Sequence, residues 1–311
     1  MKWHQRLGAG VIFILLRLLS LLPFRLLYLK ASVFRWIGQH LIGYRKQVII
    51  QNLARAFPKA GYTEIKRLTH DFYRNFFDVF VEVIKSVSLS EKEYISRFQV
   101  TNPELIASIH KEGKNTIVLS GHTGNWEYMK FLPHFMDFSC HILYKPLSKK
   151  VMDAVTNRVR AQHGVKLLEM NHAVRYLLSK KDFPAMYVFI ADQSPHHRDP
   201  DYVFNFLNQP SFFFTGGIKI ARTTSSALLY IEILRLKRGH YSATFHLISK
   251  DASEESGQAL MQKYVHLLEN NIHTQPASWL WSHKRWKHPV NNSQTIANQS
   301  NTNILKLNHE K

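Results

Sequence analysis

A polar turn after an apolar run holds the residues whose types best suit chemistry. Residues 116–119 (TIVL) are typical of a strand and lead into residues 120–127 (SGHTGNWE), and catalytic groups often collect where a strand ends. His122 could move a proton while a carboxylate such as Glu127 holds its other ring nitrogen. Because five positions separate them, they can meet only if His122 precedes the helix. Spacing alone favours an ordinary turn histidine and a carboxylate at a helix start.

The elements that position this turn are predicted from hydrophobic periodicity. Residues 44–86 are helical in pattern, and from about residue 101 helical segments alternate with short apolar runs. These runs cover residues 116–119, 142–144, 165–168, 185–191, 228–234 and 241–248. The alternation predicts an α/β fold with a mixed central sheet flanked by helices, and with antiparallel pairing between the last two runs.

The most apolar stretch of the chain lies near its N-terminus. Residues 7–29 (LGAGVIFILLRLLSLLPFRLLYL) are interrupted by Arg17, Pro23 and Arg25 before they reach the roughly 20 clean residues of a spanning helix. We predict a retained membrane-anchoring helix that spans, tilts or lies flat, with a buried core helix as the alternative. Basic residues follow the stretch closely, which favours a cytoplasmic location for the rest of the chain.

Three regions are therefore expected. They are a membrane anchor at 1–30, a catalytic domain at 31–290, and a disordered tail at 291–311 that is rich in Asn, Gln and Ser. If the anchor is separable, its removal should affect membrane retention far more than folding.

The charge balance narrows the possible partners. Forty-one Lys and Arg against 22 Asp and Glu give a formal net charge of +19, which should attract anionic lipid, nucleic acid or an acidic carrier protein. The chain has no usual signature of a nucleic-acid module, so no nucleic-acid partner is expected. The single cysteine, Cys140, excludes an internal disulfide framework and lies in an apolar run, where a buried, inert thiol is expected.

A metallohydrolase is the other enzyme class that the histidines suggest. His196 and His197 lie in a polar loop, and there is no His-Glu-x2-His motif or pair of spaced ligands. We therefore predict no metal and no cofactor.

The segment from His122 to Glu127 resembles the His-x4-Glu signature of the lipid A secondary acyltransferases, the lauroyl and myristoyl transferases of bacterial outer-membrane lipid assembly. Four further blocks are similar to the family and stand in the same order. They are Tyr144-Lys145-Pro146-Leu147, Asn157-x2-Arg160-x3-Gly164, Ala191-Asp192-Gln193, and residues 279–287 (WLWSHKRWK). The resemblance spans about residues 1–288.

The resemblance assigns roles to these positions. It implies that His122 is the general base, that Glu127 orients it, and that Arg160 is a cation near the oxyanion or an acceptor phosphate. The remaining residues expected to contact the oxyanion or substrate are Asn125, Lys145, Asp192, Gln193 and Arg285. The family more often has Arg at the position of Lys145, so a planar, bidentate contact is lost there. Residues 204–221 follow the family only loosely.

The resemblance also implies an activity. The enzyme would move a fatty acyl chain from a thioester donor, acyl carrier protein or acyl-CoA, to a hydroxyl of a lipid A precursor in lipopolysaccharide biosynthesis. It would work at the inner membrane, with the catalytic domain on the cytoplasmic side. An acyltransferase of the same superfamily acting on another membrane lipid, such as an aminolipid or a pigment precursor, is the alternative.

Overall fold

The computed structural model describes residues 1–179, 181–288 and 290, so the predicted tail at 291–311 lies outside the described residues. The strands are β1 (Phe98–Val100), β2 (Thr116–Ser120), β3 (Cys140–Tyr144), β4 (Lys166–Glu169), β5 (Met186–Ile190), β6 (Val203–Phe206), β7 (Gln209–Phe212), β8 (Ala227–Lys237) and β9 (His240–Ser249). The α-helices are α1 (Trp3–Ser20), α2 (Phe24–Trp36), α3 (Lys46–Ala56), α4 (Tyr62–Lys85), α5 (Glu91–Arg97), α6 (Pro103–Lys111), α7 (Lys150–Arg160), α8 (Ala173–Leu178), α9 (Gly216–Thr223) and α10 (Gly257–Thr274).

Within the described residues, seven strands form one sheet in the order β1-β9-β8-β2-β5-β3-β4. Strands β8, β2, β5, β3 and β4 are parallel, whereas β9 runs antiparallel to β8 and pairs in parallel with β1. Strands β6 and β7 form a separate hairpin. The predicted α/β fold with a mixed sheet is confirmed, and so is the antiparallel pairing of its last two long runs.

The core occupies both faces of the sheet. Side chains alternate along a strand, so Ile117 and Leu119 enter one hydrophobic cluster with α9 and α10 while Val118 enters the other, with α6 and the 3-10 helix Trp126–Phe135. Every residue of β2 is buried, as expected for a central parallel strand covered on both faces. Cys140 is also buried, and burial raises its thiol pKa to about 12, as expected for an inert residue.

The N-terminal helices are amphipathic and joined to the rest of the molecule. Helix α2 continues through the predicted boundary at residue 30, and its Leu27 and Ala31 are buried against Val81 of α4. On the outer side, large apolar side chains of α1 and α2 are exposed. They include Leu7, Val11, Ile14, Leu15, Leu18, Leu26, Leu29, Val33, Phe34 and Trp36.

The two helices differ from a simple spanning segment. In the described part of the chain, neither helix alone is long and apolar enough to cross a membrane, although the pair Trp3–Ser20 and Phe24–Leu41 passes that test together with a bend of 113°. The second member includes a π-helical turn, Ile37–Leu41.

Candidate active site

The sheet topology brings His122 and Asp192 together. Strands β2 and β5 are parallel neighbours in which Ser120 lies opposite Ile190, so the second residue after each strand reaches the same point beyond the carboxyl edge. The His122 ring Nδ1 lies 2.6 Å from Asp192 Oδ1, and the His122 backbone N–H donates to Asp192 Oδ2 at 2.8 Å. The indole N–H of Trp279 also donates to Oδ2, at 2.6 Å. Asp192 therefore fixes both the ring and the backbone of His122.

Asp192 remains ionised in this setting. It is only 2% exposed, and although burial opposes its charge, the His122 ring and the donors from His122 and Trp279 outweigh that and lower its pKa to about 2. A carboxylate at Nδ1 places the ring proton there and leaves Nε2 with its lone pair. That tautomer is assigned from the hydrogen bonds.

The Nε2 side of His122 is the open side. Gln193, which is exposed, places its amide nitrogen 3.3 Å from Nε2, and the Trp126 ring packs edge-on at 5.0 Å between centroids. The His122 side chain is 16% exposed. A hydroxyl group could reach Nε2 by displacing the Gln193 amide, so the arrangement fits a general base.

Glu127 pairs with Arg160 instead of His122. Arg160 Nε donates to Glu127 Oε2 at 2.8 Å and Nη2 donates to Oε1, a bidentate ion pair. The 3-10 helix begins at Trp126, which directs Glu127 toward the last residue of α7. The expectation that Glu127 orients the imidazole is therefore corrected, because Asp192 occupies Nδ1. Burial raises the Glu127 pKa, but the ion pair with Arg160, followed by the charge of Lys130, lowers it overall.

A buried lysine, Lys130, lies near this ion pair and holds the end of α7. Lys130 is 1% exposed, and its ammonium donates to Ser86 Oγ at 2.7 Å, to the Val159 carbonyl at 3.2 Å and to Gln162 Oε1 at 3.4 Å. Burial lowers its pKa to about 7, while Glu127 opposes that shift. Because Val159 adjoins Arg160, Lys130 ties the end of α7 to α4.

The comparisons with known proteins now bear on this geometry. A model of the family described as bacterial lipid A biosynthesis acyltransferase matches residues 3–288. The chain belongs to that family. It is an acyltransferase of lipid A biosynthesis. A search of curated proteins finds no match.

Asn125 of this acyltransferase does not face the substrate side. It is fully buried, and its amide donates to Glu82 Oε2 at 2.9 Å. Glu82 also accepts from the hydroxyls of Tyr28 at 2.9 Å and Tyr241 at 2.8 Å. The predicted oxyanion or substrate contact is therefore corrected. Asn125 holds the turn, because its amide is occupied by Glu82 away from solvent.

The turn also depends on close packing at its glycines. Gly124 has a φ of +55°, and a Cβ there would lie 2.9 Å from Ile233 Cγ2 of β8; a Cβ on Gly121 would lie 2.5 Å from Leu268 Cδ1 of α10. A side chain at Gly121 would require Leu268 to move, and one at Gly124 would be strained by the positive φ and crowded against Ile233.

The remaining predicted residues lie in different surroundings. Lys145 is exposed directly after β3, at the carboxyl edge of the sheet, so its substrate contact stays a prediction. Arg285 is 2% exposed, donates to the Phe212 carbonyl at 2.6 Å and lies 4.6 Å from the Phe213 ring centroid. Burial lowers its pKa to about 10, against the opposing charge of Asp192. Its predicted substrate contact is corrected to a buried cation that faces protein groups.

The C-terminal block of the acyltransferase completes the turn. The Leu280 backbone N–H donates to the His122 carbonyl at 3.1 Å, and the Gly124 N–H donates to the Ser278 carbonyl at 3.0 Å. Trp279 is 2% exposed. Its ring packs against Phe206 and Trp281 in the hydrophobic core.

Sequence reasoning missed two functional positions. Neither Lys130 nor the Trp279 contact with Asp192 follows from any spacing, because each partner comes from a distant segment. Among the described residues, no group of three or more His, Cys, Asp and Glu side chains is placed to hold a metal ion.

Proposed function

We propose that this acyltransferase moves a fatty acyl chain, of lauroyl or myristoyl type, from acyl carrier protein to a hydroxyl of a lipid A precursor. The observation that carries the proposal is the His122–Asp192 pair, in which Nδ1 is held at 2.6 Å while Nε2 faces an exposed amide. Family membership supports the acceptor class.

The reaction follows from that geometry. His122 Nε2 takes the hydroxyl proton as the oxygen attacks the thioester carbonyl, and Asp192 stabilises the resulting imidazolium. The tetrahedral oxyanion then collapses with cleavage of the carbon–sulfur bond, and the imidazolium returns the proton to the thiolate. The products are an ester and a free thiol.

The negative charge that develops during the reaction gives Arg160 a further role. An oxyanion forms on the carbonyl oxygen, and a preorganised cation stabilises it more in the transition state than in the ground state. Arg160 is held by both oxygens of Glu127, so its orientation is fixed before substrate binds. We assign it to the oxyanion, with Glu127 as the positioning residue.

The donor and the location are supported by charge and by surface. The formal charge of +19 suits an acidic carrier protein, so kcat/KM with acyl carrier protein should fall as salt shortens the Debye length to about 8 Å, and more than with acyl-CoA. The exposed apolar face of α1 and α2 suits attachment to the inner membrane, with the sheet on the cytoplasmic side.

The test is acyl transfer by the purified protein, measured by mass spectrometry of the lipid product. His122→Ala should reduce kcat by about 10³-fold or more. The matched control is His266→Ala, since His266 is an exposed histidine of α10 bonded only to Asn270 among the described residues. Near-normal turnover by His122→Ala would overturn the base assignment, and acylation of an aminolipid or pigment precursor alone would overturn the acceptor.

A further inference from the structure

A basic groove lies between α4, the tip of the β8–β9 hairpin and the 3-10 turn Pro276–Ser278. It has a volume of about 610 Å³. The cations that line it are Arg67, Arg74, Arg235, Lys237 and Arg238.

The carboxylates of the groove do not neutralise these cations. Arg67 and Arg74 share Asp71, each at 3.3 Å. On the inner wall, Arg235 at 2.7 Å and Arg238 at 2.5 Å share Asp78, which is 1% exposed.

Two guanidinium groups share each of the carboxylates Asp71 and Asp78. Each of these two clusters therefore keeps one positive charge. Lys237 and Glu64 also line the groove, and their opposite charges cancel in its net charge. The groove therefore keeps a net charge of two positives, which favours an anion with more than one negative charge. Asp78 already holds the two inner guanidinium groups in place. Little further conformational entropy is therefore lost when they bind an anion.

A narrow apolar slot of about 20 Å³, which has room for about one water molecule, adjoins this groove. Asn75, Arg235, Ala277 and Ser278 line both cavities. The slot is further lined by Phe72, Phe76, Val79, Trp126, Trp279 and Leu280. Trp126 ends the slot on the catalytic side, because its ring packs against His122 at 5.0 Å.

The distance from the groove to the catalytic turn follows from β8. The catalytic turn meets this strand at Ile233, beside Gly124, and Lys237 lies four residues further along it. At about 3.3 Å per residue, the basic end is about 13 Å from the catalytic turn. One lipid molecule is long enough to place its phosphate in the groove and another of its groups at the catalytic turn.

The groove also adjoins the exposed apolar helices. The Arg238 guanidinium stacks on Tyr28 of α2 at 4.1 Å, and Leu236 beside it is 58% exposed. An anion arriving here comes with an apolar surface next to it, which favours a lipid over a soluble anion.

We propose that the basic groove binds a phosphate group of the lipid acceptor. The assignment of this lipid as the acceptor rests on the proposed function, whereas the binding of a phosphorylated amphiphile does not. Guanidinium groups suit this ligand because they donate two parallel hydrogen bonds to a phosphate.

The binding test uses the protein in phosphatidylcholine nanodiscs, with empty discs subtracted. Monooctyl phosphate and octyl glucoside are titrated below their micelle concentrations, and binding is followed by isothermal titration calorimetry. The phosphate probe should bind about tenfold more tightly, and Arg67→Gln with Arg74→Gln should reduce that preference to about twofold or less.

The matched control removes two charges at the opposite edge of the sheet. Lys114 and Lys166 lie near the amino ends of β2 and β4 and pair with Asp251 and Asp182, so Lys114→Gln with Lys166→Gln should keep the full preference. Equal binding of both probes by the unmodified protein would overturn the site, and so would an equal loss in the control.

A kinetic experiment tests whether the phosphate bound in the groove belongs to the acceptor or to the donor. The groove double variant should raise KM for a phosphorylated lipid acceptor about tenfold and leave kcat and the donor KM unchanged. A change in the donor KM alone would overturn the assignment to the acceptor. If no acyl transfer occurs at all, the proposed function fails while the octyl phosphate result still decides the site.

Discussion

Asp192 reaches the imidazole from a segment 70 residues away in sequence, and its role can be tested with an isosteric change. Asp192→Asn keeps the shape but places an amide where His122 Nδ1–H needs an acceptor, which favours the wrong tautomer. We expect kcat to fall by about 10³ to 10⁴. The measurement is kcat at saturating donor and acceptor.

Trp279→Phe is the companion variant for this test. It removes one donor to Asp192 and retains the aromatic packing, so its loss should be smaller. A kcat within threefold of the unmodified enzyme for Asp192→Asn would show that the imidazole is oriented by another group.

Glu127 and Arg160 should behave as one unit, so that loss of either side chain lowers kcat as much as loss of both. Their bidentate pair is buried enough that removal of either partner leaves the other without its counter-charge. Glu127→Gln, Arg160→Met and the double variant should therefore reach similar residual kcat values, about 10² to 10³ below normal. Additive losses in the double variant would show that the two side chains act independently.

The sequence predicted which residues belong to the site but not which of them pair with one another. His122, Glu127, Arg160 and Asp192 were all named, and the structure places them in two adjoining pairs. The pairs themselves could not be predicted, because the family resemblance implied a contact between His122 and Glu127 within one segment and no spacing links either residue to its actual partner. The actual pairs form across neighbouring strands and between a 3-10 helix and α7.

At the scale of elements, Lys130 joins the 3-10 helix to α4 and α7. Its folded pKa of about 7 is below the ordinary 10.5, so the unfolded chain binds more protons between these values. The free energy of unfolding should therefore rise with pH across this interval, by up to about 1.4 kcal/mol per pH unit. Lys130→Met removes this contribution, and its Tm should rise less between pH 7 and 10.

The control for this prediction is Lys114→Met, because Lys114 is a partly exposed lysine paired with Asp251. Its Tm should follow the unmodified protein across the same pH range. Parallel curves for Lys130→Met and the unmodified protein would mean that Lys130 titrates normally.

The strands were predicted better than the helix boundaries. Apolar runs bounded by turns identified β2, β5, β8 and β9, because buried strands carry few polar residues. The boundary at residue 30 falls inside α2 because amphipathic helices bury one face and expose the other. The composition of residues 7–29 gave no information on which side chains are buried, such as Leu27.

At the scale of the whole molecule, the N-terminal helices are part of the folded core as well as an apolar surface. Deletion of residues 1–30 removes the Tyr28 hydroxyl from Glu82 and the Ser20 carbonyl from buried Lys85. We therefore expect that deletion to impair folding as well as membrane retention. Circular dichroism and soluble yield are the measurements.

Surface substitutions test attachment without this damage. Leu18→Ser with Leu29→Ser changes exposed positions, 58% and 63% exposed, so Tm should stay within a few degrees while membrane sedimentation falls. The matched pair Val174→Ser with Leu178→Ser lies on α8, at 45% and 57% exposure, and should sediment normally. Equal sedimentation of both pairs would exclude the N-terminal face as the attachment surface.

The contacts of residues 278–280 with the His122 turn impose an order on biosynthesis. All the predicted catalytic side chains precede this segment in the chain, yet the turn lacks two backbone hydrogen bonds and Asp192 lacks an indole donor until it is made. Chains fold from the N-terminus as they emerge from the ribosome, so the apolar helices are available to a bilayer first. A nascent chain would present these helices to a lipid surface before the His122 turn has all of its hydrogen bonds.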